Sequence, residues 1–253
     1  MAKIIAVVNQ KGGVGKSTTA VNLAGYLAEL GKKILLVDTD PQGNATSGVG
    51  IDKSEIENCI YDILIEGINI EEVLQETKVK NLDAIPATLQ LAGAEVELVS
   101  SISREQKLKF ALNEVESEYE YILIDCPPSL GLLTLNSLTA ADSVLIPIQC
   151  EYYALEGLSQ LLNTIDMVRE GLNPEIELEG VLLTMYDGRT NLSEQVSAEV
   201  KNHFKEEVYK TVIPRNIRLS EAPSFGEPIN LYDKDCAGAK AYKKLAREVI
   251  SSE

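Results

Sequence analysis

Cysteine is scarce in this chain. The four residues, Cys59, Cys126, Cys150 and Cys236, are widely separated and none forms a C-x-x-C pair. That spacing excludes a zinc knuckle and a redox dithiol, and it reads as reduced structural thiols in a cytosolic protein. Histidine is scarcer still. His203 stands alone among Lys201, Asn202 and Lys205, as a solvated helix residue would. No apolar run approaches the roughly 20 residues of a membrane span. The first residues lack a basic leader and a small-residue cleavage site, so no signal peptide is expected. There is no Pro/Ser linker, repeat or low-complexity tract. Basic charge is also short: 23 Lys and Arg stand against 39 Asp and Glu, a net charge of −16. At first sight this argues against nucleic acid as a partner, because phosphate affinity comes from Lys and Arg.

What the chain does have is an ordinary globular mix, 45% hydrophobic and 25% charged, over 253 residues. A chain of that length buries roughly three quarters of its unfolded surface and needs no disulfide or metal to fold. One domain over 1–253 is the expectation. Short β-branched runs at 4–8, 34–37, 82–85, 121–124, 143–148, 180–183 and 211–213 are apolar on both parities, as strands covered on both faces are. Helical spacing fits 18–30, 104–115, 132–140, 154–169, 192–204 and 237–250. In the first of these Ala20, Leu23, Ala24, Leu27 and Leu30 share a face, and Gly31 ends it. This alternation predicts an α/β fold of three layers, a mostly parallel twisted sheet with helices on both faces.

Between the first strand and the first helix runs Lys11-Gly12-Gly13-Val14-Gly15-Lys16-Ser17-Thr18. Strand, glycine-rich turn and helix is the context of a phosphate-binding loop. Glycines let backbone N–H groups turn inward, and the helix start adds positive potential. Lys16 is expected to reach the β- and γ-phosphates of a nucleotide, and the Ser17 hydroxyl to ligate Mg²⁺. The second strand ends in Asp38-Thr39-Asp40. Two carboxylates at i and i+2 there lie on the ligand side of an open parallel sheet, one able to face an attacking water and the other to support Mg²⁺ or the loop. The strand at 121–124 runs into Asp125, the Walker B pattern of a magnesium-holding carboxylate, so Ser17, Asp38 and Asp125 are the candidate metal residues.

Gln10 occupies the position of the first glycine in the general P-loop, and Lys11 follows it. In this the chain resembles the deviant P-loop ATPases with K-G-G-x-G-K-[ST], the ParA/MinD family. The stretches 38–48 (Asp38-Thr39-Asp40-Pro41-Gln42-Gly43-Asn44-Ala45-Thr46-Ser47-Gly48), 150–158, 181–190 and 213–226 resemble the Soj-type branch of chromosomal ParA partitioning ATPases. The resemblance covers essentially the whole chain. It implies an ATPase that uses ATP and Mg²⁺, with Lys11 reaching the nucleotide of a partner subunit and Asp40 activating the water. Pro214 and Arg215 would lie near adenine, opposite Met185. ATP would drive a sandwich homodimer that binds double-stranded DNA without sequence preference. A ParB-type centromere-binding partner would stimulate hydrolysis and release. The protein would be cytoplasmic and nucleoid-associated, with no membrane. Membrane-cycling relatives carry an amphipathic tail, whereas Tyr242, Leu245, Ala246 and Val249 have the spacing of a core-packed helix.

Charge by segment revises the first inference. Residues 110–188 hold 1 basic and 14 acidic side chains, while 189–253 hold 11 and 10. The resemblance puts Arg189 and Arg218 in the DNA-binding surface. Lys240, Lys243, Lys244 and Arg247 follow i, i+3, i+4, i+7 spacing and form a basic helix stripe.

Overall fold

The computed structural model describes residues 1–151 and 158–251. The chain alternates strand and helix from its first element: β1 (Lys3–Val7), α1 (Lys16–Glu29), β2 (Ile34–Asp38), α2 (Asn44–Gly48), β3 (Gln75–Glu76), β4 (Leu82–Ile85), α3 (Leu91–Glu97), α4 (Lys107–Val115), β5 (Tyr121–Asp125), α5 (Leu132–Ala140), β6 (Ser143–Gln149), α6 (Leu158–Gly171), β7 (Glu177–Thr184) and α7 (Asn191–Phe204). Three helices follow, α8 (Ile217–Glu221), α9 (Ile229–Tyr232) and α10 (Ala237–Ser251). The seven strands form one sheet in the order β3-β4-β2-β5-β1-β6-β7. All described pairings are parallel except β3 with β4.

Successive strand residues serve opposite faces. Ile4, Ala6, Leu35, Val37, Ile122 and Ile124 pack with residues of α3 to α7. Ile5, Val7, Ile34, Leu36, Tyr121 and Leu123 pack with α1 and α10. Helices thus cover both faces, which is why the strands are apolar on both parities. All four cysteines are free thiols. Helix α1 ends as a Schellman turn: Gly31 N donates to Ala28 O at 3.0 Å and Lys32 N to Leu27 O at 3.1 Å. Gly31 takes the left-handed φ of 93° that this turn requires.

The structure differs from the expected elements in several places, among them the short helices α2, α3, α8 and α9, which the spacing does not predict. Residues 211–213 are not a strand. The chain there runs beside β7 through single bridges, Val181 with Val208 and Tyr186 with Pro214, and Pro214 has no N–H to extend a ladder. Strand β3 is two polar residues long, too short to leave an alternating signal. Helix α4 starts three residues later than its spacing suggests, because Ser103 turns at a φ of 51°. Of the helix expected over 154–169, residues 154–157 lie outside the described residues, as does most of the 150–158 stretch.

Helix α10 lies along α1, with Tyr242, Leu245, Ala246 and Val249 buried. Thr19 Oγ1 is 3.2 Å from the Tyr242 hydroxyl. Leu245→Ala is expected to lower stability by about 2–5 kcal/mol, measured by urea unfolding, because a buried leucine leaves a cavity.

Candidate active site

The glycine-rich turn is held from three sides. Asn9 Nδ2 donates to Pro147 O of β6 at 2.8 Å, and its Oδ1 accepts from Lys11 N at 2.9 Å. Thr184, at the end of β7, donates from Oγ1 to Val14 O at 2.8 Å. Gly15 caps α1 at a φ of 91°, a conformation that selects glycine. Lys16 is buried and its ammonium donates to Lys11 O at 3.3 Å. Burial pulls this ammonium below the usual lysine range, opposed first by Asp125 and further by Cys126 and Asp40. Lys11 takes part in no ion pair among the described residues.

Asp38 and Asp125 are register partners on β2 and β5, and both are buried. Asp38 is fully engaged. Its Oδ2 accepts from Thr46 N at 2.8 Å and Thr46 Oγ1 at 2.7 Å, and its Oδ1 accepts from Asp40 N at 3.1 Å. Burial still pushes its carboxyl up to about 6, against the pull of the Thr46 hydrogen bonds. This spends Asp38 on holding the loop, one of its two expected roles. Asp125 is the opposite case: both carboxylate oxygens are buried and neither has a hydrogen-bond partner. Burial, then the Asp38 charge, raises its carboxyl well above the ordinary range, and Ser17 and Lys16 oppose them. An orphaned buried carboxylate beside a serine hydroxyl is a donor set that a hard divalent cation satisfies. Among the described residues no three Asp, Glu, Cys or His side chains group as a metal cluster. Asp40 is buried, and its Oδ1 accepts from Gln42 N at 2.9 Å.

Two cavities meet at this turn. One, of about 590 Å³, is lined by Gly12, Gly13, Lys16, Ser17, Asp40 and Met185 among others. The other, of about 530 Å³, is lined by Met185, Ile213, Pro214, Arg215, Asn216 and Tyr242 among others. Gly15, Thr18, Met185 and Pro223 border both. Phosphate-loop groups thus line the first cavity, and Pro214 and Arg215 the second, with Met185 at their junction. Met185 holds a φ of 51°, a strained backbone at the hinge of the two spaces. The Arg215 guanidinium reaches Glu151 Oε1 at 3.0 Å.

The outlying cations fall differently. Arg189 is exposed and forks onto Asp187, with Nε–Oδ1 at 2.8 Å and Nη2–Oδ2 at 2.7 Å. Arg218 donates to Glu221 Oε2 at 2.8 Å and lies 3.5 Å from Asp233 Oδ2. Lys240, Lys244 and Arg247 are exposed along α10, but Lys243 leaves the stripe for Glu29 of α1 at 2.8 Å. His203 is exposed and lies edge-on to Phe204.

A mostly parallel sheet with an inner strand that runs into a glycine-rich loop, and a lysine and a strand-end carboxylate in one cavity, defines a P-loop nucleotide-binding protein. A family model described as an AAA domain matches residues 2–178. The sporulation initiation inhibitor protein Soj of Bacillus subtilis is 64% identical over 252 residues, covering all of both chains. The chromosome partitioning protein ParA of Myxococcus xanthus is 56% identical over 253 residues, covering 100% of this chain and 89% of that one. Among solved structures, cobyrinic acid a,c-diamide synthase from Mycobacterium smegmatis with bound ADP and magnesium has a TM-score of 0.86 at 38% identity, covering 98% of this chain and 93% of that one. The chain belongs to the ParA/Soj family of P-loop partitioning ATPases.

Sequence reasoning missed the residues that brace the site. Thr46 is the most connected of them: it holds Asp38 twice and accepts from Ala87 N at 2.9 Å. It lies within the family-like stretch 38–48, but nothing in that stretch marks it as the partner of Asp38. Asn9, just before the loop, was likewise given no role. Thr46→Val keeps the shape and removes the hydroxyl. It is expected to cost about 1–3 kcal/mol by thermal or urea unfolding, because Asp38 and Ala87 N each lose a buried partner.

Proposed function

We propose that this chain is an ATP-dependent DNA-partitioning ATPase. The reading rests above all on one observation: Lys16, Ser17 and Asp40 line a single cavity beside the unpartnered carboxylate of Asp125. The inward N–H groups of residues 12–18 and the start of α1 bind the nucleotide phosphates. Lys16 reaches the β- and γ-phosphates. Ser17 and Asp125 would hold Mg²⁺, which when bound supplies positive charge against the phosphate oxygens. Asp38 keeps the loop 39–46 in position. Asp40 orients the attacking water and takes its proton. Pro214 and Arg215 flank adenine, with Met185 opposite. Magnesium nucleotide in the similar M. smegmatis protein supports ATP and Mg²⁺ as the ligands here.

Within this reading ATP joins two copies of the chain face to face. Lys11, free of ion pairs among the described residues, crosses to the partner's nucleotide and stabilises charge on the transferred phosphoryl group. A cation so placed contributes on the order of 10³–10⁵ in rate in analogous sites. The dimer doubles a modest cationic surface made by Arg189, Arg218 and the α10 residues Lys240, Lys244 and Arg247, with Lys243 contributing less. Exposed pairs such as Arg189–Asp187 contribute about 0–1 kcal/mol, so phosphate can displace the carboxylate. DNA binding is then sequence-independent and salt-sensitive, and the protein is nucleoid-associated in the cytoplasm. A ParB-type partner triggers hydrolysis and release. The names of the Soj and ParA relatives support this assignment. A membrane-cycling reading is disfavoured because the apolar face of α10 is buried against the core.

Three outcomes test the proposal. Lys16→Ala is expected to abolish ATP binding in calorimetry, and unchanged affinity would refute the phosphate-loop assignment. Asp40→Ala is expected to reduce turnover by at least about 10²-fold, the scale of a lost general base, while ATP still drives dimers in sizing columns. Turnover at the parent rate would remove Asp40 from the mechanism. Arg189→Glu with Arg218→Glu should keep ATP dimers but lose duplex DNA in a salt-titrated binding assay. Retained binding at moderate salt would move the DNA surface elsewhere.

A further inference from the structure

Helix α5 starts without a cap of its own. Its N-cap is Gly131, which has no side chain to receive the first amides. Such orphan N–H groups need an acceptor. Here it comes from α3: Glu95 Oε2 accepts from Leu132 N at 2.9 Å, and Oε1 lies 3.4 Å from Leu133 N. Gly131 makes the approach possible, since a Cβ there would stand 2.8 Å from the Glu95 carboxyl carbon. The φ of Gly131 is −84°, open to any residue, so a side chain here would act by pushing the Glu95 carboxylate aside and not through the backbone conformation. A carboxylate at a helix start also meets the positive end of the helix dipole, and its hydrogen bonds are charge-assisted.

Helix α5 connects to the active site at two points. The loop 126–131 joins its start to Asp125. Within that loop Ser129 O accepts from Thr134 Oγ1 at 2.7 Å, and Pro128 lines the phosphate cavity. Farther along, Ser137 Oγ lies 3.2 Å from Thr39 Oγ1. Thr39 donates in turn to the Asp125 carbonyl at 2.8 Å and stands between Asp38 and Asp40. Loosening the first turn of α5 therefore reaches both strand ends that carry the site's carboxylates.

We propose that Glu95 is a positioning residue for hydrolysis: by capping α5 from α3, it fixes the loop 126–131 and the Asp125 side of the phosphate cavity in the geometry that cleavage needs. This rests on the ATPase reading above. Glu95 lines neither cavity at the glycine-rich turn and acts through α5, so its loss changes turnover more than nucleotide affinity.

The test uses the full chain with Glu95→Ala, Glu95→Gln, Gly131→Ala and the Glu95→Ala/Gly131→Ala double variant. Glu95→Ala is expected to lower kcat roughly tenfold, about the rate equivalent of one lost cap. KM and the affinity for a non-hydrolysable ATP analogue should stay within about twofold. Glu95→Gln keeps an acceptor in the same shape without the charge, so its kcat should lie between the parent and Glu95→Ala. Gly131→Ala displaces Glu95 and should match Glu95→Ala, while the double variant should add no further loss, as expected of one shared interaction. Amide exchange should speed up at Leu132 and Leu133 in both single alanine variants. Parent kcat in Glu95→Ala, a lowered Tm with unchanged kcat, or additive losses in the double variant would each overturn the proposal. A parent chain without ATP turnover would instead overturn the ATPase reading, and unchanged exchange at Leu132 and Leu133 in Glu95→Ala would then overturn the capping role by itself.

Discussion

Two carboxylates buried side by side are the constraint around which this structure is arranged. Parallel pairing of β2 with β5 sets Asp38 opposite Asp125, both away from bulk water. Like charges in such a place repel, and burial penalises each. The fold answers asymmetrically. Asp38 receives three hydrogen bonds from the loop that follows it, whereas Asp125 receives none and is left facing Lys16 and Ser17. The first carboxylate organises the loop, and the second remains available to a cation. Lys16 is buried close enough to share this field, and its lowered proton affinity reflects the same lack of water.

The rest of the sheet explains why these groups meet. Strand β1 lies between β5 and β6, so its glycine-rich turn emerges beside the end of β5 and one strand away from β2. The turn is tied to β6 through Asn9 and to β7 through Thr184. Helix α5 carries the connection onward, with Ser137 beside Thr39 at its middle and Glu95 at its start. The phosphate side of the site is thus a set of strand ends braced by side chains from distant segments. The second cavity is formed by the chain after β7, which runs past Met185 and Pro214 without becoming a strand.

Much of this was legible in the residues. Strand and helix alternation predicts a parallel sheet between two helical layers, and the alternating allegiance of Ile4 and Ile5 to opposite cores bears it out. The loop Lys11–Thr18 was readable because glycines, lysine and hydroxyls at fixed spacing have few other uses. The same holds for Asp125 at the end of an apolar strand. Net charge is a coarse statistic: −16 for the chain conceals a near-neutral last quarter that carries Arg189 and Arg218. The basic stripe on α10 was legible only as spacing. That Lys243 turns to Glu29 depends on α10 lying along α1.

The sequence by itself determined the class of sheet, the phosphate loop and the identity of the acidic residues near it. These are local properties, written in period, glycine placement and strand-end chemistry. Tertiary structure decided which carboxylate is satisfied and which is left open, because Thr46 of α2 reaches Asp38 only once α2 packs beside the ends of β2 and β4. It also decided that α5 is capped by Glu95. Gly131 signals no cap, and its partner lies on another helix, so only the packing of α3 against α5 brings acceptor and amides together.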